Sequence, residues 1–389
     1  MPDATPPGVV QEPVWGVREP LASGAEPPVR AEVVVVGGGI TGVSVLRGLR
    51  ERGVDCVLLE AEHIAHGASG RNAGFLLAGV SENYARAVHD HGRDVARAVW
   101  AFTSRNHELV AAQAVMFDSG YRQVGSLVVA LDAEEAASLE EAATLLAEDG
   151  FPGRLCVAGP VPDAVRTLHN PEDGEVDPVR LVRGLVAPCG GAVFEGCRVT
   201  ALEDSESGVT VHHERGAVLA ETVVLATNAW TGELAPSVPI RPVRAQMLAT
   251  EPCSPAIERP VYAEWGHRYW RQRADGRVLV GGFRHRALAE EVGFDTRPTS
   301  AVQRHLDTQL VELGVTARVS HRWAGTMGFS SDGLPLAGLV PGTKRTHVCA
   351  GYTGHGMGFA VHAADVLCRH LLDGVPLPVW LSAGRDAAS

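Results

Sequence analysis

The stretch that decides the fold is residues 32–42, EVVVVGGGITG, near the start of a chain of 389 residues. The β-branched run 32–36 is typical of a parallel strand that is buried on both faces. A helical pattern follows the glycines up to Gly53, and a second apolar run, 54–59, ends at Glu60. Strand, glycine turn, helix, strand and acid in this order predict one complete βαβ unit.

The glycine turn also predicts a dinucleotide site. Gly37 permits the tight turn, Gly39 lets phosphates approach the backbone, and Gly42 lets the helix pack against the strand. The start of the helix offers backbone N–H groups to a pyrophosphate. Glu60, which lies 18 positions after Gly42, can bind the ribose hydroxyls of an adenosine and would repel the 2′-phosphate of NADP. NAD and FAD both fit this unit.

Composition excludes several other classes of protein. With 45% hydrophobic and 21% charged residues, the chain has the composition of an ordinary soluble globular protein. It contains no apolar run long enough for a membrane span, and we expect no membrane association and no secretory signal. The 46 acidic against 34 basic residues give a net charge of −12, which disfavours a nucleic-acid partner.

The cysteines and histidines favour a cytoplasmic protein without a metal site. The seven cysteines are odd in number and scattered, and they form no CxxC pair, as expected of reduced thiols. The sixteen histidines form no HExxH or comparable motif, so no metal ligands are predicted.

The length predicts two domains, preceded by a Pro-rich arm, 1–30. Two alternatives stay open for this arm, which is either docked through Trp15 or disordered. Helices are predicted at 82–114, 133–148, from Pro178 to about 187 with Asp177 as the cap, 299–313 and 355–372. Strands are predicted at 125–130, 192–194, 198–202, 209–213, 217–219, 222–225, 241–250, 268–273, 277–281 and 346–350.

Three further motifs suit a flavin. The loop 67–74, GASGRNAG, combines small residues with Arg71 and Asn72 and could surround a phosphate or an isoalloxazine edge. The buried run 223–230, VVLATNAW, ends in small residues. A second glycine-rich strand-to-helix turn, 351–358, offers helix amides to an electron-rich group. Each motif also has a purely structural interpretation, as a surface arginine, a core strand or a tight turn.

Taken together, these motifs resemble those of a known family, the FAD-dependent amine and amino-acid oxidases of the D-amino-acid oxidase, glycine oxidase and sarcosine oxidase group. The resemblance covers residues 31–375 and also includes the segments WAG at 323–325 and DGLPLAG at 332–338. Within the family, the GASGRN loop is most similar to that of the γ-glutamylputrescine oxidase branch.

The resemblance implies an α/β fold with a discontinuous Rossmann-like FAD-binding domain and a smaller α+β substrate domain that contains an antiparallel sheet. The FAD-binding domain would comprise 31–80, 177–240 and 321–375, and the substrate domain 81–176 and 241–320, with a C-terminal tail at 376–389. Family members oxidise the C–N bond of an amine by hydride transfer to the flavin, and oxygen usually accepts the electrons to give hydrogen peroxide. A dehydrogenase with another electron acceptor, or a subunit that only holds FAD, remains possible.

The resemblance also assigns residues to the cofactor. Those expected to bind FAD are Gly37, Gly39, Ile40, Thr41, Gly42, Glu60, Ala61, Ser69, Gly70, Arg71, Asn72, Ala73, Gly74, Val199, Ala226, Thr227, Trp230, Gly325, Asp332, Gly354, His355, Gly356 and Met357. Family members that tether FAD covalently carry a cysteine at the position of Gly325 or a histidine at that of Arg71. We therefore expect noncovalent FAD.

The expected substrate is a primary or secondary amine. Family members bind a substrate carboxylate with an arginine at the position of Met327 or a lysine at that of Gly358, and this chain has neither. Because a buried carboxylate without a cation is costly, amines that lack an α-carboxylate should be the better substrates. The alternative is an amino-acid oxidase with a relocated anchor, for which the candidates are Arg268, Arg271, Arg284 and Arg286, although surface ion pairs are the more common role of such arginines.

Three residues are expected to act on the substrate: His355, Met327 and Tyr269. His355 could assist removal of the amine proton or simply fix the turn by a hydrogen bond. Met327 would present a flexible apolar surface suited to a methylene chain.

Overall fold

A computed structural model describes residues 8–16, 21, 25–156, 159, 161, 163–254 and 257–385. Those parts of the predicted arm and tail that fall elsewhere lie outside the described residues. The α-helices in the described ranges are α1 (Ile40–Arg50), α2 (Tyr84–His91), α3 (Arg93–Met116), α4 (Ala133–Glu148), α5 (Pro178–Val186), α6 (Thr231–Leu234), α7 (Ser300–Glu312) and α8 (Gly356–Asp373).

The strands in the same ranges form two large sheets and one small one. They are β1 (Arg30–Val36), β2 (Cys56–Leu59), β3 (Phe75–Leu76), β4 (Ser126–Ala130), β5 (Arg154–Cys156), β6 (Arg166–Asn170), β7 (Gly174–Glu175), β8 (Val193–Phe194), β9 (Val199–Ser205), β10 (Gly208–His213), β11 (Gly216–Leu225), β12 (Arg241–Thr250), β13 (Val261–Ala263), β14 (Arg268–Gln272), β15 (Val278–Gly282), β16 (Val319–Phe329), β17 (Leu336–Leu339) and β18 (Thr346–Ala350).

The first large sheet has a parallel Rossmann-like centre, β18-β11-β1-β2-β8. Helices α1 and α8 pack against each other on it, and the run Val33–Val36 is buried as its two-faced environment requires. Strands β17, β9 and β10 extend the sheet with antiparallel pairs. The predicted α/β fold with a Rossmann-like domain is confirmed.

The second large sheet has the order β16-β12-β15-β14-β13-β4-β6-β5. All its neighbouring strands are antiparallel except the pair β13 and β4, so the sheet is predominantly antiparallel, in agreement with the prediction. Residues 321–329, which the sequence predicts to belong to the FAD-binding domain, lie in β16, which pairs with β12 along almost its whole length. This pairing places residues 321–329 in the second large sheet.

Two element boundaries differ from the sequence prediction for local reasons. The helix predicted over 82–114 is divided into α2 and α3 at Gly92, whose φ of +80° is incompatible with a continuous helix. The strands predicted at 217–219 and 222–225 form one strand, β11, which pairs with both β10 and β1. The cap was predicted correctly, because the Asp177 carboxylate accepts hydrogen bonds from two N–H groups of the first turn of α5.

The described part of the N-terminal arm is docked. Val10 exchanges backbone hydrogen bonds with both neighbours of His321 at the edge of β16. Trp15 is only 3% exposed and donates its indole N–H to the carbonyl of Asn72 over 3.0 Å. The guanidinium of Arg273 lies 4.6 Å from its ring centroid. Residues 8–16 therefore contact the predicted FAD loop directly.

None of the helices in the described ranges is both long enough and apolar enough to cross a membrane. All seven cysteines are free thiols. Within the same ranges no group of three or more histidine, cysteine or acidic residues is arranged to hold a metal ion.

Candidate functional site

A single cavity of about 450 Å³ extends from the glycine turn to the inner face of the second sheet. The start of α1, the end of β2 and the loop after β2 form one part of its wall. The second glycine turn and strands β12 to β16 form the opposite part. The cavity thus connects the dinucleotide-binding unit with the predicted substrate domain.

The glycine turn has the close packing that its sequence predicts. Gly37 has a φ of +107°, which only glycine adopts without strain. A Cβ atom on Gly42 would lie 1.9 Å from the carbonyl oxygen of Gly37. The helix can therefore approach the strand only because Gly42 has no side chain.

The start of α1 has the donors that a pyrophosphate requires. Among the described residues no acceptor is found for the backbone N–H groups of Gly39 and Thr41, while Ile40 donates its N–H to the Ser69 hydroxyl over 2.9 Å. Gly39 and Thr41 line the cavity, and the N-cap residue, Gly39, has no side chain that could cap the helix. Free helix N–H groups attract an anion, so these residues fit the phosphates of FAD.

Glu60 lines the same part of the cavity at the end of β2. Its carboxylate accepts hydrogen bonds from the N–H of Gly38 over 2.5 Å and from the N–H of Glu62 over 2.8 Å. A carboxylate oxygen has more than one acceptor site, so the fixed group can still receive ribose hydroxyls.

The loop 67–74 is held in place by the two residues that its sequence singled out. Arg71 donates to the carbonyls of His66 and Ala324, each over 3.0 Å, and its side chain is only 12% exposed. Asn72 donates to the carbonyls of two residues in the short helical turn before it. Arg71 is therefore no ordinary surface arginine, and it joins the loop to β16 of the second sheet.

The second glycine turn brings His355 and Met327 together. Gly354 has a φ of +90°, and a Cβ there would lie 3.4 Å from the Met327 sulfur. Burial lowers the pKa of His355 to about 4; an interaction of the ring with the backbone of Thr353 partly opposes this, and the Arg284 cation adds a smaller lowering effect. The imidazole is therefore neutral at physiological pH, and its Nδ1 has no hydrogen-bond partner among the described residues.

An aromatic cluster forms the substrate-side wall. The rings of Phe75, Tyr262 and Tyr269 contact one another edge-on, with centroids 5.4 to 6.0 Å apart. Tyr262 and Tyr269 are directly opposite on β13 and β14, and the Tyr262 ring centroid lies 6.0 Å from that of His355. Such a wall excludes water and offers an apolar surface to a bound molecule.

The structure brings most of the sequence-predicted site residues to this one cavity. Those that line it are Gly37, Gly39, Ile40, Thr41, Glu60, Ala61, Ser69, Arg71, Asn72, Ala73, Val199, Ala226, Thr227, Trp230, Tyr269, Gly325, Met327, Gly354, His355, Gly356 and Met357. Their roles in binding FAD or substrate remain predictions.

Four predicted cofactor residues do not line the cavity. Gly42, Gly70 and Gly74 instead allow close packing, since a Cβ on each would lie within 2.2 Å of a backbone carbonyl oxygen. The carboxylate of Asp332 accepts a hydrogen bond from the Leu334 N–H and two from Arg385 of the C-terminal tail. In the structure it fixes the loop after β16 and does not line the cavity, and its role toward the cofactor stays a prediction.

Several lining residues were not predicted as site residues. Phe75, Tyr262, His267, Phe294 and Phe329 come from separate elements. No local motif marks them, because only the pairing of the strands brings them to one wall. Arg284 was named only as one of four equivalent arginines, and the sequence offered no means of choosing among them.

Fold and site together define a flavin-dependent oxidoreductase. The family model "DAO: FAD dependent oxidoreductase" matches residues 32–370, and the chain belongs to this family. It is 29% identical over 374 residues to gamma-glutamylputrescine oxidoreductase of Escherichia coli strain K12, a match that covers 89% of this chain and 84% of that protein. It is 27% identical to glycine oxidase of Pseudomonas putida, over 89% of this chain and 96% of that protein.

Solved structures support the same fold. Glycine oxidase from Geobacillus kaustophilus superposes with a TM-score of 0.77 at 22% identity, covering 90% of this chain and 96% of that chain. L-proline dehydrogenase from P. horikoshii gives the same TM-score at 23% identity, covering 93% and 99%. The chain is thus a flavoprotein whose cofactor is FAD.

We predict that the FAD is bound noncovalently. The two positions where relatives were expected to carry a tether, Gly325 and Arg71, pack against each other, and a Cβ on Gly325 would lie 2.8 Å from that of Arg71. Neither residue is a nucleophile that could attack the flavin. Acid precipitation of the holoenzyme should release all the yellow colour into the supernatant, and a yellow pellet would refute the prediction.

Replacement of Glu60 should weaken FAD binding without abolishing it. Glu60→Ala should reduce the binding free energy by about 1–3 kcal/mol, because a charged hydrogen-bond partner of the ribose is lost. Titration of the apoprotein with FAD measures this change. Glu51→Ala is the control, because Glu51 pairs only with Arg47 at the exposed end of α1. Equal FAD affinities of the two variants would argue against the assignment.

Proposed function

We propose that this protein oxidises the C–N bond of an amine or amino acid, with molecular oxygen as the final electron acceptor and hydrogen peroxide as a product. The observation that carries the proposal is the continuous cavity, which joins the helix N–H groups of α1 to the wall formed by Tyr269, Met327 and His355. Bound FAD supplies the two-electron acceptor for the hydride that leaves the carbon next to nitrogen. The relatives named for oxidation of γ-glutamylputrescine and glycine support this class of substrate.

The residues of the chain hold and orient the amine. Hydride can leave the carbon only if the nitrogen has a free lone pair, so the substrate must react as the neutral amine. His355 is neutral itself and lines the cavity, so its imidazole can accept a hydrogen bond from the amine N–H. The aromatic cluster excludes water beside it and so favours the uncharged form.

The test is anaerobic addition of a panel of amines and amino acids to the holoenzyme, with flavin absorbance as the signal. Bleaching by a primary or secondary amine, followed by peroxide formation when air is admitted, is the expected result. A quaternary ammonium compound is the matched control, because it has C–N bonds but no lone pair. Bleaching without peroxide would exclude oxygen as the acceptor and favour a dehydrogenase. Absence of bleaching by the whole panel would favour a protein that only holds FAD.

The proposed enzyme is cytoplasmic. All seven cysteines are free thiols. Reduced cysteines are typical of cytoplasmic proteins, in which disulfides are rare. Fractionation of the native host should recover the protein with reduced thiols.

A further inference from the structure

Three hydrogen-bond donors of the cavity wall have no acceptor among the described residues. They are the guanidinium of Arg284 and the hydroxyls of Tyr262 and Tyr269. Tyr269 lies opposite Gly281 on β15, where the absence of a side chain leaves room for its ring. Phe283, with a left-handed φ of +61°, then turns the chain, and Arg284 follows directly. The three donors are thus positioned by adjacent strands of one sheet.

Arg284 has no hydrogen-bond acceptor among the described residues, unlike the other three arginines that are candidates for a relocated carboxylate anchor. Arg268 is bound to Gln309 and Glu312 on α7, and Arg286 to Glu264. Arg271 donates to the carbonyl of Gly74 and lies 3.4 Å from the carboxylate of Glu175, which holds it in a structural role. Arg284 instead lies over the ring of Phe329, 5.0 Å from its centroid, and lines the cavity.

The electrostatics of this wall favour an anion. Burial lowers the pKa of Arg284. Burial also raises the pKa of Tyr269 to about 12, and the Arg284 cation partly opposes this rise. Both groups therefore remain protonated donors at physiological pH. A half-buried guanidinium without a counterion is unfavourable, whereas a carboxylate can accept two parallel N–H bonds from its planar fork and a third from a phenol hydroxyl.

We propose that Arg284, together with Tyr269, binds a carboxylate of the substrate, so that the substrate class is amines that carry a carboxylate. This proposal rests on the proposed C–N oxidation at the same site and specifies its substrate. It reverses the expectation that carboxylate-free amines are preferred. That expectation followed from Met327 and Gly358, which are not cationic, and it did not include a cation contributed by the turn after β15.

Binding of a carboxylate can be tested without turnover. Benzoate, titrated into the holoenzyme, should perturb the flavin absorbance spectrum, whereas benzamide, which has the same shape and no charge, should not. Arg284→Met should weaken benzoate binding by about 100-fold, the equivalent of losing a bidentate charged contact. Arg286→Met is the matched control two residues away and should bind benzoate as the wild type does.

Turnover supplies the second test, with pairs of substrates that differ only in a carboxylate, such as sarcosine against dimethylamine and proline against pyrrolidine. The wild type should prefer the acid of at least one pair. Arg284→Met should lower kcat/KM for that acid by about 100-fold or more while changing that for its amine by less than about 3-fold. Arg284→Lys, which keeps the charge but loses the fork, should give an intermediate loss.

The outcomes separate this proposal from the proposed function. If Arg284→Met binds benzoate and oxidises the acid as well as the wild type does, the carboxylate site is wrong although C–N oxidation stands. If the variant loses benzoate binding but neither acids nor amines bleach the wild-type flavin, the anion site stands and the proposed function is wrong. A preference of the wild type for the carboxylate-free member of every pair would also overturn the proposal.

Discussion

Gly42→Ala should abolish stable FAD binding and lower the free energy of unfolding by about 3 kcal/mol or more, at the upper end of the cost of overpacking. The added methyl group would lie 1.9 Å from the carbonyl oxygen of Gly37, which is backbone and cannot rotate away. Helix α1 would have to move from β1, and the N–H groups of Gly39 and Thr41 would move with it. The loss of affinity should therefore exceed about 100-fold.

Gly48→Ala is the matched control for this substitution. It adds the same methyl group on the same helix, but the nearest atom is the Cys368 sulfur at 3.2 Å, the end of a side chain that can adjust. Alanine also favours the helix by up to about 1 kcal/mol relative to glycine. Thermal unfolding and FAD titration should therefore show a defect in Gly42→Ala only. If Gly42→Ala binds FAD with wild-type affinity, the turn does not position the cofactor.

The parts of the molecule that were predictable from the sequence are those determined by local chemistry. The β1-turn-α1-β2 unit, the helix at 133–148 and the Asp177 cap depend on residues that are close in the chain. The break between α2 and α3 was missed because Gly92 within an otherwise helical pattern can be tolerated or can end the helix. Only its φ value distinguishes the two outcomes.

The substrate wall was not predictable in the same way. Arg268, Arg271, Arg284 and Arg286 are equivalent in the sequence, and their roles are decided by partners far along the chain, such as Glu312 for Arg268 and Glu175 for Arg271. Asp332 was assigned to the cofactor by its motif, but its actual partner, Arg385, lies in a tail that carries no motif. Long-range pairing of charges therefore decides which predicted residues are free to bind a ligand.

A second cavity, of about 270 Å³, contains an acid that should make the stability of the protein depend on pH. Asp173 is 3% exposed, and its carboxylate accepts hydrogen bonds from the N–H of Ala78 over 3.0 Å and the hydroxyl of Ser126 over 2.6 Å. Burial raises the pKa of Asp173 to about 7, and among the described residues the carboxylate of Glu172 raises it further by repulsion.

Asp173→Asn should therefore stabilise the protein at alkaline pH and not at acidic pH. In the unfolded chain an aspartate has a pKa of about 3.9, so above that value the unfolded state releases a proton which the folded state retains up to about pH 7. The folded wild type consequently loses stability as the pH rises from about 4 to about 7, by up to about 4 kcal/mol. Asparagine keeps an oxygen for the Ala78 N–H and an amide that can donate to Ser126, without a charge to desolvate.

Urea denaturation of the holoenzyme from pH 5 to pH 9 gives the unfolding free energy of Asp173→Asn and of the wild type. The difference between the two values reports the ionisation of Asp173 alone. It should increase in favour of the variant up to about pH 7 and stay constant above it, because both states of the wild type are then ionised. Glu172→Gln is the matched comparison, since it removes the exposed repelling charge and keeps the buried carboxylate, so the same loss of stability should occur with its midpoint at a slightly lower pH. A difference between Asp173→Asn and the wild type that does not vary with pH would mean that Asp173 is already ionised in the fold at pH 5. The second cavity would then hold a stabilised anion rather than a neutral acid.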